Sequence, residues 1–380
     1  MADHVEETNQ PQRSKLFPAG FDAAGGGGAL RRLPSSLFAA WPLLHPTVDE
    51  AGSGAGRSLS AARDVAAGET LLVAEAWASA VVPEQQRRVC AVCLGRLPAA
   101  TARLGKKAQR RQAAKGESAA ATVAKVCACG QQHYCSEHCE GCADASWHRH
   151  YACAATLNVS DDAMASAHDK SVARLILDTI LRGAFPRVDT DDGPDVATSR
   201  ATWDDGVLLL QSHVQDQSSE HDADILRMVL AGLQAQAVAV VSSHKGFSID
   251  GLRPVLLLAG VSAEEVSALI SCVQCNNFGV YGGEGAHAGG SLLALALFPT
   301  AAFFNHSCRP NVLRSWDAQG RMVMKAAAAV AQGTPLTIMY GELTDASYTE
   351  RQAALVAGHA FACRCERCVE EQPASIGMGH

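Results

Sequence analysis

The distribution of cysteines constrains this chain more than any other feature of its sequence. Fourteen cysteines occur in 380 residues, and eight of them lie between Cys90 and Cys153. Three more lie within the short stretch from Cys363 to Cys368. The N-terminus, MADHVEETNQ, is acidic and polar where a secretory signal would be basic and then apolar. Because disulfides belong mainly to secreted chains, we expect the clustered thiols to bind metal, with disulfides as the alternative.

Length and composition favour a soluble globular protein of about two or three domains. Apolar residues make up 48% of the chain, and the net charge of −7 argues against a generally basic nucleic-acid-binding surface. The apolar run from Ser291 to Phe304 contains Pro299 and is too short to span a bilayer. We therefore expect a protein of the nucleus, the cytoplasm or both, with no membrane partner. Direct nucleic-acid binding stays open.

Close-spaced cysteine pairs indicate tetrahedral zinc sites, because two ligands on one tight turn fix half of the coordination sphere. Two such pairs flank a basic insertion, GKKAQRRQAAKG. Eight ligands in this block make two interleaved sites. The first set is Cys90, Cys93, Cys135 and Cys139, and the second is Cys127, Cys129, His150 and Cys153. The block has no large apolar core, so metal binding would supply its folding energy.

This cysteine-rich block resembles a MYND zinc finger. The resemblance rests on the opening pair of cysteines, on YCSEHC at 134–139 and on WHRHYAC at 147–153. His148 is a rival ligand, but the Trp-x2-His register of the family favours His150. Cys142 is a competing thiol. The resemblance implies proline-rich peptides as partners of the finger.

A second resemblance begins at FFNHSCRPN, residues 303–311. It continues with LTIMYGE at 336–342 and FACRCERC at 361–368. In this order the three motifs resemble the core of a SET-domain lysine methyltransferase. With the finger interrupting it, the chain is similar to the SET and MYND (SMYD) family, without that family's C-terminal helical-repeat domain. The implied fold class is α+β: a β-rich SET fold of short strands with a knot-like C-terminal crossing, interrupted by the finger and a helical insert.

The same resemblance assigns roles to single residues. It implies S-adenosyl-L-methionine as the methyl donor and Tyr340 as the catalytic residue, whose hydroxyl orients the lysine amine and contacts the transferring methyl. Cofactor contacts are expected from Arg57, Asn276, Asn305, His306 and Phe361. In GRSL (56–59), Ser58 replaces the second glycine of the family's cofactor loop. For Asn276 the alternative is a helix C-cap.

A third zinc site is implied in the segment that follows the SET core. Its expected ligands are Cys308, Cys363, Cys365 and Cys368. The chain would then hold about three structural zinc ions and no catalytic metal. Cys142, Cys272 and Cys275 are left as free or buried thiols.

Residue patterns and the two resemblances together predict how the chain is divided. The predicted segments are a flexible N-terminus (1–53), the first part of the SET domain (54–89), the finger (90–153), a helical linker or insert (154–262), the second part of the SET domain (263–345), the post-SET zinc segment (346–370) and a tail (371–380). Apolar spacing predicts helices over 163–183 and 222–242 and a third from Ser262 to about Cys272, with a capping box to Glu265. Strands are predicted at 292–298, 312–316, 322–325 and 336–339.

Two functions of different class fit this sequence. The first is a monomeric S-adenosylmethionine-dependent protein-lysine N-methyltransferase, whose substrate is a histone or another protein with a target lysine. The second is a catalytically weak MYND/SET scaffold that binds other proteins. The intact set of Asn305, His306, Tyr340 and Phe361 favours the enzyme, whereas Ser58 and the Cys127-x-Cys129 spacing keep the scaffold open.

Overall fold

The computed structural model describes most of the chain between residues 41 and 373. The described residues are 16–17, 38, 41–48, 56–97, 125–185, 206–210, 220–243, 255–282, 290–317 and 319–373. The basic insertion lies outside these residues, as do most of the predicted flexible N-terminus and the last residues of the tail. Short strands and longer helices occur in separate runs in the described parts, so the α+β class is confirmed.

Short strands dominate the part of the molecule that carries the FFNHSCRPN motif. The described strands are β1 (Leu44–Val48), β2 (Arg57–Ala61), β3 (Thr70–Ala74), β4 (Ala78–Val81), β5 (Lys125–Val126), β6 (His133–Tyr134), β7 (Asn277–Gly282), β8 (Ser291–Leu297), β9 (Asn305–His306), β10 (Val312–Trp316), β11 (Met322–Ala326) and β12 (Thr337–Ile338). They form several small sheets, ordered β1-β2, β10-β11-β3, β4-β8-β7, β5-β6 and β12-β9. All pairings are antiparallel except that of β9 with β12.

The described helices lie in the finger, in the insert, directly before β7 and at the C-terminal end. They are α1 (Glu137–Gly141), α2 (Ala143–Tyr151), α3 (Cys153–Asp161), α4 (Ala167–Ala184), α5 (Glu220–Ser243), α6 (Ala263–Asn276), α7 (Tyr348–His359) and α8 (Glu366–Glu371). The predicted capping box is confirmed at the start of α6, where Ser262 and Glu265 each accept a hydrogen bond from the other's backbone N–H. The same device begins α7, with Ser347 and Glu350.

The parallel pair β9–β12 brings two distant parts of the sequence together. Thr337 lies opposite Asn305 in this pair, and Ile338 lies opposite His306. The intervening chain forms the β10–β11 hairpin. The side chain of Asn311 donates to the Pro335 carbonyl at 2.8 Å and accepts from the Thr337 N–H at 2.8 Å, which holds the entry into β12. The end of β12 is thereby held beside the NHSC segment, residues 305–308.

Helix α4 forms the centre of the helical insert. Its side chains from Val172 to Leu181 are buried, and α5 packs along it closely enough that a Cβ on Gly232 would lie 2.7 Å from Leu177 Cδ1. Glycine permits this approach. The stretch Glu220–Ser242 is long and apolar enough to cross a membrane. The core helix of a soluble protein meets the same criterion of length and composition. Helix α5 packs against α3, α4 and α6.

The finger is attached to the end of α4 through its own helix α2. The indole N–H of Trp147 donates to the Phe185 carbonyl at 2.8 Å, and the guanidinium of Arg182 lies 4.3 Å from the centre of the Trp147 ring. Arg182 also pairs with Asp144 at 3.1 Å, and Tyr151 stacks on Phe185 with ring centres 4.6 Å apart. These contacts fix the second half of the finger against the helical insert.

Candidate active site and metal centres

Three groups of four ligands come together in the described residues. They are Cys90, Cys93, Cys135 and Cys139 (the first finger cluster); Cys127, Cys129, His148 and Cys153 (the second finger cluster); and Cys308, Cys363, Cys365 and Cys368 (the C-terminal cluster). Within each group the ligand atoms all lie within 4.8 Å of one another, and the cysteines are free thiols.

Sulfur–sulfur distances test whether these clusters fit zinc. The Sγ atoms of Cys93 and Cys135 are 3.7 Å apart, and those of Cys308 and Cys368 are 3.5 Å apart. A tetrahedral zinc with Zn–S bonds of about 2.3 Å separates its sulfurs by about 3.8 Å. A disulfide would require about 2.05 Å. The clusters therefore fit zinc, which when bound would cross-link the segments that carry its ligands.

The histidine of the second finger cluster is His148, and the choice of His150 was wrong. His148 is buried with Nε2 at 3.4 Å from Cys129 Sγ, whereas His150 is exposed. Both lie on α2, and two residues turn a helix by about 200°, so only one can face the cysteines. Residues three or four positions apart lie on the same face of a helix. Ala145 and Ala152 lie three residues before and four after His148 and are both fully buried, so His148 is the histidine on the buried face.

The C-terminal cluster is surrounded by polar groups from α7. The Arg351 guanidinium is fully buried; it lies 3.7 Å from Cys368 Sγ and pairs with Glu371 at 2.8 Å. Gln352 Nε2 donates to the same sulfur at 3.3 Å. Four thiolates around one zinc ion leave a net charge of about −2, so a buried cation and an amide donor stabilise this cluster when it is metallated. Sequence reasoning missed both residues.

Tyr340 follows the end of β12 and is held at both ends. Its hydroxyl donates to the Phe304 carbonyl at 2.9 Å, and its backbone N–H donates to His306 Nδ1 at 3.0 Å. Burial raises the pKa of Tyr340, so the hydroxyl stays protonated at neutral pH. Because the hydroxyl proton is engaged by Phe304, the oxygen can accept a hydrogen bond from a further group but is a poor proton acceptor.

Rings surround Tyr340 on several sides. The ring centres of His359, His306 and Phe361 lie 4.7, 5.3 and 6.3 Å from that of Tyr340, with Phe361 edge-on. His359 ends α7, where Ala360 adopts a left-handed conformation (φ +55°) that turns the chain towards Phe361. The half-buried group of Tyr340, His306, His359 and Phe361 is here called the aromatic group. His359 was not foreseen from the sequence.

His306 is engaged within the protein through both ring nitrogens. Nδ1 faces the Tyr340 N–H, and Nε2 lies 3.2 Å from Cys308 Sγ. Burial, followed by the charges of His359 and Arg351, lowers the pKa of His306 to about 4, so the ring is neutral. The cofactor contact expected of His306 would therefore come from its backbone.

Two of the other residues expected to contact the cofactor lie together beside β9. Asn305 Nδ2 donates to the Arg57 carbonyl at 3.2 Å, and the Arg57 guanidinium lies 5.3 Å from the Phe303 ring centre. Burial lowers the pKa of Arg57 to about 10, which leaves it cationic at neutral pH and suited to a carboxylate. Asn276 is the last residue of α6, and its amide donates to the Cys272 carbonyl at 2.7 Å, while the C-cap position is occupied by Asn277.

The sequence matches the SET domain family over residues 56–341, which is more than half of the chain. The chain belongs to the SET domain family. A SET and MYND domain-containing protein of Dictyostelium discoideum is 22% identical over 82% of this chain and 79% of its own length. N-lysine methyltransferase SMYD2-B of Danio rerio is 24% identical over 86% of this chain and 61% of its own length. With the cysteine clusters, these relatives show a SMYD-like SET protein.

Other similarities are shorter or weaker. Histone-lysine N-methyltransferase ASHR1 of Arabidopsis thaliana is 29% identical over 30% of this chain and 22% of its own length. The solved SET domain of LSMT bound to lysine and AdoHcy aligns with a TM-score of 0.30 and 9% identity over 85% of this chain and 53% of that one. A likeness at that level carries no argument about the site.

Proposed function

We propose that this SET protein is an S-adenosylmethionine-dependent protein-lysine N-methyltransferase. The observation that carries the proposal is the placement of Tyr340, whose hydroxyl proton is engaged by the Phe304 carbonyl within a half-buried group of rings. The cofactor, when bound, supplies a methyl group on a positively charged sulfur. Every other requirement of the transfer falls to the residues of this chain.

Several residues fit a role in holding the cofactor. The buried cation of Arg57 suits the carboxylate of an amino-acid portion, and its backbone is tied to Asn305. The backbone at Asn305 and His306 and the ring of Phe361 complete the set that the SET resemblance implies. Asn276 is a weaker candidate, because its amide already donates to the Cys272 carbonyl.

The substrate lysine must lose a proton before it can attack. Its ammonium has an ordinary pKa near 10.4 and is no nucleophile. Desolvation among the rings of the aromatic group would lower that pKa, so that the ammonium releases its proton to water and the amine becomes neutral. Tyr340, with its own pKa raised, would not take the proton. It would instead accept a hydrogen bond from the amine and orient the nitrogen lone pair for in-line transfer.

The experiment that tests this proposal is transfer of a labelled methyl group from S-adenosylmethionine to proteins of a methylation-depleted lysate, with modified lysines identified by mass spectrometry. The expected result is methyl-lysine with the wild-type chain and none above background with Tyr340→Phe. Titration with S-adenosylmethionine separates the scaffold alternative, because a scaffold produces no binding heat. Absence of binding and transfer in a zinc-loaded preparation would contradict the proposal.

A further inference from the structure

The imidazole of His306 connects a cysteine of the C-terminal cluster to the backbone of Tyr340. A backbone N–H can only donate, so the contact of 3.0 Å from Tyr340 requires Nδ1 to be the acceptor. The ring proton must then be on Nε2, which lies 3.2 Å from Cys308 Sγ and donates to it. The hydrogen-bond partners thus determine a single neutral tautomer.

This contact lies where the backbone ladder ends. The strands β9 and β12 have two residues each, and the backbone bond from the Ser307 N–H to the Ile338 carbonyl, at 3.0 Å, closes the pair. Beyond Ile338, the His306 ring takes over from the backbone as the group that holds the chain. Without it, the backbone of Tyr340 would lose the acceptor that the strand pair does not supply.

We propose that His306 is a positioning residue that couples the C-terminal metal cluster to Tyr340. The proposal rests on the function proposed above for Tyr340. One short segment holds the tyrosine at both ends, because the Phe304 carbonyl receives its hydroxyl and His306 receives its backbone N–H. Cys308 anchors that segment to the cluster. Since a displacement of about 1 Å at a reacting group can cost about a hundredfold in rate, this anchoring controls the reaction.

Two variants separate the two nitrogens of the ring. An asparagine oxygen can take the place of Nδ1, so His306→Asn keeps the acceptor for Tyr340 and removes the donor to Cys308. A glutamine amide can take the place of Nε2, so His306→Gln keeps the donor and removes the acceptor. His306→Ala removes both. The readouts are amide hydrogen exchange at Tyr340 and the rate of zinc release from the full, zinc-loaded chain to a chelator.

We expect His306→Gln to raise Tyr340 exchange at least tenfold while zinc release stays within about twofold of wild type. We expect the reverse for His306→Asn: zinc release about tenfold faster, and Tyr340 protected. In transfer assays His306→Gln lowers kcat more than it raises KM. The finger clusters serve as the internal control for folding, because their zinc is retained in correctly folded variants.

Equal Tyr340 exchange in wild type and His306→Gln would overturn the proposal, and so would equal zinc release in wild type and His306→Asn. Neither result depends on methyl transfer. If exchange and zinc release change as expected but the wild type transfers no methyl group, the proposed function fails and the coupling stands. Should the variants lose finger zinc as well, Cys308→Ser supplies the second test, and an unchanged Tyr340 exchange there overturns the proposal.

Discussion

The first finger cluster and the C-terminal cluster are both sets of four cysteines, yet they are built in different surroundings. The finger ligands lie within residues 90–139, and the hydroxyl of Ser136 lies near one of the sulfurs. The C-terminal cluster joins Cys308 to ligands more than fifty residues further along the chain, and Arg351 and Gln352 contact its sulfurs. The first cluster joins two segments of the finger, whereas the second closes a loop that contains Tyr340.

This difference implies that loss of zinc from the finger and loss of zinc from the C-terminal cluster have different consequences. The finger reaches the rest of the molecule through Trp147 and Tyr151, which pack on the end of α4. The C-terminal cluster adjoins the aromatic group directly, since Tyr340 and Phe361 pack against its buried cysteines. Loss of the finger metal should weaken the fold, whereas loss of the C-terminal metal should displace the proposed catalytic residue.

The largest loss of methyl transfer is expected from Tyr340→Phe, which removes the proposed catalytic hydroxyl and leaves the ligands of the finger and C-terminal clusters unchanged. A phenylalanine fills nearly the same volume, so zinc content should change little, and loss of the hydrogen bond to the Phe304 carbonyl should lower the free energy of unfolding by about 1 kcal/mol. Loss of one preorganised polar contact is typically worth roughly 3–4 kcal/mol of barrier, so single-turnover transfer with saturating cofactor should fall about a hundredfold or more. Unchanged turnover would move catalysis away from this residue.

Removal of a C-terminal ligand should lower both zinc content and activity. Elemental analysis should find about three zinc ions in the wild type and one fewer in Cys308→Ala and in Cys363→Ala, because both residues serve one site. Transfer should fall by more than about tenfold in both. Cys90→Ala, the matched finger variant, should also lose one ion but keep transfer within about threefold. If Cys308→Ala and Cys363→Ala lost different ions, the C-terminal cluster would be wrongly assigned.

The two histidines of α2 test which ring is the fourth ligand of the second finger cluster. His148→Ala should lose one zinc ion, because this ring lies among three cysteines, whereas His150→Ala should keep all of them. Metal counting by native mass spectrometry checks both. The assignment fails if His150→Ala is the variant that loses the ion.

The smallest effect is expected from removal of the Arg351 charge beside the C-terminal cluster, and it concerns the rate of zinc release. Arg351→Gln removes a buried cation next to thiolates, and zinc release to a chelator should become about tenfold faster. Arg309→Gln is the matched control, because Arg309 pairs with Glu370 on the adjacent helix α8 but is exposed, and surface pairs contribute little. Equal release rates in the two variants would show that burial of the cation is irrelevant.

The features that could be predicted from the sequence are those that depend on short separations. Eleven of the twelve cluster ligands follow from the spacing of cysteines and from two family resemblances. The capping box at Ser262 and Glu265 depends on four consecutive residues and is likewise confirmed. The knot-like crossing that places Tyr340 beside residues 305–308 was implied by the SET resemblance.

The remaining features depend on how helices face their neighbours. His150 was chosen on a family register, while the buried stripe of α2 selects His148. Helix α6 extends to Asn276, four residues beyond its predicted end, so the Asn276 amide donates to the Cys272 carbonyl within the last turn. Arg351 and His359 reach the site only because α7 packs over the C-terminal cluster.

The measurement that tests the comparison most directly is amide hydrogen exchange across residues 337–341 in two matched cysteine variants. Cys365→Ser removes a half-buried ligand of the C-terminal cluster, and Cys93→Ser removes a half-buried ligand of the first finger cluster. We predict at least tenfold faster exchange in this segment for Cys365→Ser and no change for Cys93→Ser. Equal exchange in the two variants, or acceleration only in Cys93→Ser, would contradict the conclusion that the C-terminal cluster holds Tyr340 in place.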